Sequence, residues 1–175
     1  MTTDINNHLG NNFILNYLNC SLNIDIKLEF YEVRKMTNEE LGRKYPFLIL
    51  KTDYWTDREL SEDEIDYEHT WFDDIPTGWA KAFGVQMCDE LLEILKKGNC
   101  VDDYRIIQIK EKFGALRWYD NGILPSISDE YNAWLRKYED LSEMTCIVCG
   151  EPATHTTRGW IMPVCQKCYN NIENR

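Results

Sequence analysis

Only three histidines, His8, His69 and His155, occur among 175 residues, so nucleophilic triads have few places to form. The His-Glu-x-x-His run of zinc proteases is missing, and no His-x-Glu stands ahead of a Pro-Cys-x-x-Cys as base deamination requires. Glycine-rich phosphate loops of the form GxxxxGK[ST] or GxGxxG are missing too. No apolar run approaches the ~18 to 20 residues that span a bilayer, and no basic-then-apolar stretch opens the chain, which implies a soluble, cytoplasmic protein. Motif chemistry is thus excluded, and only a polar site assembled from residues distant in sequence remains open to catalysis. The reading is of a non-enzymatic protein.

Aromatic residues, by contrast, are plentiful. Six Trp and ten Tyr within a 43% hydrophobic composition are far too apolar for a disordered chain. The length suits one core plus a small metal-held appendage. Seven cysteines is an odd number, and four of them form two CxxC pairs, which points to metal ligation in a reducing compartment rather than a disulfide framework. Cys20, Cys88 and Cys100 are left over. No cation is placed to lower their pKa, so they read as core thiols.

Cys146-x2-Cys149 and Cys165-x2-Cys168 are separated by fifteen residues, the spacing of four-cysteine zinc modules. Two residues between ligands let a tight turn aim both thiolates at one ion, and Gly150 permits that turn to close with positive φ. Four protein ligands fill a tetrahedral shell, so a Zn2+ held here is structural. A short helix after the second pair would set its N-terminal dipole against thiolate charge. His155, without a spaced partner, reads as a loop or supporting residue, with zinc ligation as the rival role.

Periodicity supplies the rest of the fold. Ile24, Ile26, Leu28 and Phe30 alternate with polar residues, predicting a half-buried strand with Phe13 to Leu18 as a candidate partner. Thr37 with Glu40 forms a capping box ahead of a short helix that Pro46 ends. Trp79, Phe83, Met87, Leu91, Leu92 and Leu95 recur at helical spacing, with Lys96, Lys97 and Gly98 closing the helix. Strands at about 104 to 110 and 115 to 119 flank a turn at Gly114. A second long helix aligns Ile127, Tyr131, Trp134, Tyr138 and Leu141, with Ser126 and Asp129 as a capping box. The predicted fold class is α+β: a small antiparallel sheet packed with two main helices, plus a C-terminal four-cysteine zinc-ribbon or treble-clef-like module. Residues 1 to 144 form the core and 145 to 175 the zinc module, packed on that core because no linker separates them.

Charge is unevenly spread. Residues 53 to 74 hold ten acids against Arg58 alone, a local -9, so the rest of the chain carries only -2 of the total -11. The plain interpretation is a solvated acidic face. The sharper one makes Glu62, Asp63, Glu64, Asp66 and Glu68 a docking surface for a basic protein, or a mimic of a nucleic-acid backbone. Mimicry needs compactness: an extended segment places charges about 8 Å apart, whereas a helix begun by Ser61 and Glu64 brings them to about 3.7 Å, near DNA phosphate spacing. Trp55, Trp71 and Phe72 would anchor the segment. The zinc module stands at about -1 once four thiolates and Zn2+ are counted, which suits phosphate binding poorly. The alternative function, nucleic-acid binding, would use Lys110, Lys112, Arg117, Trp118 and Arg158, against the simpler view of solvent-facing charges on a two-stranded sheet.

The segments "KYP", "GW" at 78 and 79, "IIQIKEKFGALRWY" and the closing CxxCG…GW…CxxC together resemble a group of small bacteriophage and prophage proteins, over roughly residues 44 to 170. That resemblance implies a host-cell cytoplasmic setting and a host protein as partner, with inhibition of a basic host or defence factor as the outcome. It implies no chemistry.

Overall fold

The computed structural model describes residues 36 to 53, 56 and 58 to 173. The expected N-terminal strands, Cys20, His8 and Trp55 lie outside the described residues. Helix α1, Asn38–Lys44, begins with the expected capping box: Thr37 accepts from the Glu40 N–H, and Glu40 reaches back to the Thr37 N–H at 2.7 Å. A 3-10 turn at Pro46–Leu48 then buries Phe47 and Leu48.

Helix α2 is one helical run in three parts: α at Thr77–Trp79, π at Ala80–Gly84, and α at Val85–Lys97. Its buried stripe is Trp79, Phe83, Met87, Leu91, Ile94 and Leu95. Ile94 takes the place expected for Leu92, because a 3.6-residue period carries the stripe from 91 to 94 and 95 and leaves 92 at its margin. Gly98 is the C-cap as expected, but the left-handed residue is its neighbour Asn99, at φ 51. Within α2, Cys88 is fully buried, and burial pushes its thiol well above the ordinary range. Cys100 is buried as well, so both behave as core residues.

Strands β1, Ile106–Lys112, and β2, Ala115–Asp120, form the antiparallel hairpin. A bulge between Ile106 and Gln108 shifts the register. After a 3-10 turn at Pro125–Ile127 comes α3, Ser128–Glu143. The expected Ser126 and Asp129 capping box does not form. Pro125 starts a 3-10 turn that takes Ser126 into its own interior, and Ser128 instead donates its hydroxyl to the Pro125 carbonyl at 3.1 Å.

These elements meet in an aromatic core. Trp134 of α3 lies 5.3 Å from Trp118 of β2, edge-on at 88°, and donates its Nε1 to the Met87 carbonyl of α2 at 3.0 Å. Such pairs add to what their buried area contributes. Trp118 Nε1 donates to the Tyr104 hydroxyl at 2.8 Å; that hydroxyl bonds Tyr131, which in turn donates to Asp120. Every polar atom in this buried chain is thereby satisfied. The fold class read from the sequence, α+β with a small antiparallel sheet and two main helices, is the one observed. Among the described residues, no helix is long and apolar enough to cross a membrane.

Candidate metal centre

The sulfurs of Cys146, Cys149, Cys165 and Cys168 all lie within 4.8 Å of one another. Cys149 and Cys165 are 3.7 Å apart, close to the ~3.8 Å edge of a tetrahedron with metal–sulfur bonds of ~2.3 Å. The donor set and its spacing therefore fit one tetrahedral ion. Two pieces of local structure bring the sulfurs together.

The first is a knuckle. Gly150, at φ +84, returns its N–H to the Cys146 carbonyl at 2.9 Å, and the Cys146 N–H donates to the Glu151 carbonyl at 2.7 Å. Only glycine takes that φ without strain. The second is helix α4, Gln166–Glu173, which places Cys168 in its first turn. It starts before the second pair ends, earlier than expected, so the positive end of its dipole is set directly at the sulfurs. Between the two, β3 (His155–Thr156) and β4 (Pro163–Val164) form a short antiparallel hairpin. Knuckle, hairpin and helix make the treble-clef-like arrangement of the two expected, since a helix stands where a ribbon would have another hairpin.

As thiols, Cys146 and Cys168 differ. Burial opposes ionisation at Cys146, but backbone N–H groups of Cys165, Cys149 and Val148 outweigh it and bring the thiol down to about 7. Burial and the neighbouring sulfurs push Cys168 up to about 12. A metal must therefore displace a proton from Cys168, and acidification weakens the site because protons compete for the same sulfurs.

His155 is not one of the clustered ligands. Its ring stacks on Tyr169 of α4 with centroids 4.8 Å apart, and Nδ1 bonds the Thr154 hydroxyl at 2.8 Å. It props the metal-bearing helix from outside. His155→Ala is expected to keep one metal ion per chain, measured by chromophoric release with a thiol reagent, and to cost about 1 kcal/mol through the lost stack. A drop in metal stoichiometry would return His155 to the ligand set.

The sequence reading used the Gly78 and Trp79 pair only as part of a resemblance, and its structural task was missed. The Gly78 N–H donates to the Ile147 carbonyl at 2.9 Å, and Trp79 Nε1 donates to the Thr145 carbonyl at 3.0 Å. A Cβ at Gly78 would stand 2.2 Å from the Cys146 carbonyl oxygen, and one at Gly150 would stand 2.7 Å from the Gly78 carbonyl oxygen. The knuckle is thus pressed, backbone to backbone, onto the start of α2. The signal available in sequence was a Gly-Trp pair at a helix entrance facing a Cys-x-x-Cys-Gly turn.

The other expected contact residues are dispersed. Glu62, Asp63, Glu64, Asp66 and Glu68 are all exposed. The helix expected to begin at Ser61 does not form: Ser61 and Glu64 bond one another, with the Ser61 N–H and hydroxyl both on the Glu64 carboxylate, but only a turn results. The Arg58 guanidinium also takes Glu64 in a two-pronged pair at 2.9 and 2.8 Å, which holds that carboxyl well below the usual range and ties it back to the preceding strand-like segment. The segment is nonetheless anchored. Trp71 donates its N–H to the Leu48 carbonyl, Thr70 and Ile75 are buried, Phe72 fills the space left by Gly84, and Asn38 bonds both the Glu68 carbonyl and Asp73.

Of the hairpin residues, Lys110 and Lys112 sit on β1, Arg117 pairs with Glu139 at 3.4 Å, and Arg158 is exposed in the β3 to β4 loop. Trp118 does not belong with them. It is only 5% exposed, packed on Trp134, so its face is unavailable to a base; the pleat turns position 118 inward and position 119 outward.

The chain was compared with models of protein families, with curated proteins and with solved structures, and none of the three gives a match.

Proposed function

We propose that this chain is a non-catalytic binding protein in which a structural Zn2+, held by Cys146, Cys149, Cys165 and Cys168, fixes the C-terminal module, and whose acidic segment docks a basic surface of another protein. Four thiolates leave the ion no open position for water or substrate, which supports structure over catalysis. One observation carries the docking: the acidic segment is anchored at its base, yet Glu62, Asp63, Asp66 and Glu68 are exposed and make no ion pair among the described residues. Exposed like charges raise the self-repulsion of the native state and are put to use when a cationic partner arrives. Because residues 62 to 64 form a turn and no helix follows through 69, discrete carboxylates paired with Lys or Arg fit better than continuous imitation of phosphate spacing. The resemblance to phage proteins makes the partner a host protein, and inhibition of a basic host or defence factor the outcome of docking.

The test is affinity capture from host lysate with the tagged, zinc-loaded protein, after nuclease treatment, beside the variant Glu62→Gln, Asp63→Asn, Glu64→Gln, Asp66→Asn, Glu68→Gln. The wild type is expected to hold a basic protein that elutes with salt. The variant is expected to lose at least about tenfold in affinity with only a small drop in thermal midpoint from the lost Arg58–Glu64 pair, since exposed carboxylates contribute specificity and encounter rate more than stability. Equal capture by both would remove the acidic segment from the function.

A further inference from the structure

The outer face of the β1 to β2 hairpin differs in composition from the rest of the molecule. Cross-strand partners share a face. The register sets Gln108 opposite Tyr119, Lys110 opposite Arg117, and Lys112 opposite Ala115. Of the alternate pairs, Ile109, Trp118 and Leu116 are buried, whereas Glu111 is only partly buried and brings its carboxylate to the cleft at the turn. Apart from buried Ala115, the first three pairs carry a tyrosine and three cations, of which Arg117 is paired with Glu139 and Lys110 and Lys112 make no ion pair among the described residues. Lys110 Nζ lies 4.9 Å from the Tyr119 ring centre and Lys112 Nζ lies 5.5 Å from that of Phe113.

At its turn the hairpin meets the zinc module. Phe113 is 72% exposed and Trp160 71% exposed, and with Glu111, Lys112, Gly159 and Ile161 they line a cleft of about 220 Å3. Neither ring is there by default. Phe113 holds φ 56, a left-handed conformation that a bulky residue rarely adopts, in a two-residue turn for which Asn-Gly is the favoured sequence. Trp160 is pinned outward. The Glu111 carboxylate accepts from Trp160 Nε1 at 3.1 Å and from the Gly114 N–H at 2.6 Å. Thr157 donates its hydroxyl to the Trp160 carbonyl and accepts from the Met162 N–H at 3.0 Å. A strained phenylalanine and a tethered tryptophan, both in solvent, form a preorganised contact site.

We propose that this face binds single-stranded nucleic acid, with bases stacked on Phe113 and Trp160 and phosphates held by Lys110 and Lys112. Flat rings beside cations on one sheet face are the stacking platform that single strands use, because every base offers a π face. The cleft is smaller than the roughly 300 Å3 at which drug-sized pockets begin, a size that suits one planar base. The strongly acidic segment does not compete for these cations, since none of its acids pairs with a hairpin residue. This site uses other residues than the acidic docking surface and does not depend on it.

Fluorescence anisotropy tests it, with the full zinc-loaded chain at low salt and labelled oligothymidylate and oligouridylate of about 20 nucleotides as probes. A matched duplex and poly-glutamate serve as competitors. Both single strands are expected to bind in preference to duplex and to poly-glutamate, with log affinity falling against log salt at a slope of about -1.4 for two phosphate contacts. Tighter binding of the RNA probe would assign contacts to the 2′-hydroxyl, and equal binding would assign stacking and backbone alone. Trp160→Ala should weaken binding about tenfold, the loss of one stacked base. Phe113→Asn should weaken it similarly while raising the thermal midpoint, since asparagine suits the turn. Absence of binding, preference for duplex or poly-glutamate, or unchanged affinity in both variants would overturn the proposal.

Discussion

Chelating the metal is expected to unfold residues 145 to 173 and to loosen the start of α2. The module's own apolar core is small: Cys146, Val164 and Cys168 are buried, with Ile147, Met162, Tyr169 and Ile172 partly so. A core of that size does not sustain a fold by itself. A structural zinc ion contributes an apparent ~10 to 16 kcal/mol at neutral pH in small modules of this kind. Removing it leaves four sulfurs within 4.8 Å of one another without the ion that holds them, and frees the Gly78 N–H and Trp79 Nε1 from their partners. Those two hydrogen bonds cost about 1 kcal/mol each. Limited proteolysis should then cut within the last thirty or so residues, and the fluorescence of Trp79 should shift red. Lower pH acts in the same direction, because the ligands must be thiolates. An unchanged digestion pattern after metal is shown to have left would mean that packing alone holds the module.

Gly78→Ala should be among the most damaging single substitutions, by more than about 3 kcal/mol. Helix propensity argues the other way, since Gly to Ala within a helix ordinarily gains up to about 1 kcal/mol. Space decides the sign. The new methyl would meet the Cys146 carbonyl oxygen at 2.2 Å and the Ile147 carbonyl carbon at 2.6 Å, and both are backbone that cannot rotate aside. Relief requires the knuckle to lift, which breaks the Gly78 to Ile147 hydrogen bond and disturbs the thiolate geometry. Gly122→Ala is the control: φ +98 makes it strained, but nothing lies within 4 Å, so its cost stays at about 1 to 2 kcal/mol. Denaturant midpoints and the rate of metal loss for the two variants, each loaded beforehand, give the comparison. Equal destabilisation would show that the close approach is tolerated.

The two substitutions also separate what is local from what is not. Thr37 with Glu40, the helical stripe from Trp79 to Leu95, the Gly114 turn and the two Cys pairs are each legible in a window of a few residues, because capping, periodicity and chelate spacing act over that range. The helix expected after Ser61 does not form even though Glu64 keeps both its Ser61 contacts and its Arg58 pair, so a capping contact by itself does not start a helix here. Trp118 was misplaced because the register, not the composition, decides which side of a strand faces the core.

By itself the sequence determined an α+β protein with one four-thiolate site, a local excess of negative charge, and no recognisable catalytic motif. These follow from residue type and short spacing. Only the tertiary structure decided that the knuckle is seated on Gly78 and Trp79, that the acidic segment is anchored but not helical, and that Phe113 and Trp160 stand together in solvent. Each of those brings together residues from about 10 to about 70 positions apart or turns on a backbone conformation, and neither pairing nor φ is encoded in any short run of the chain.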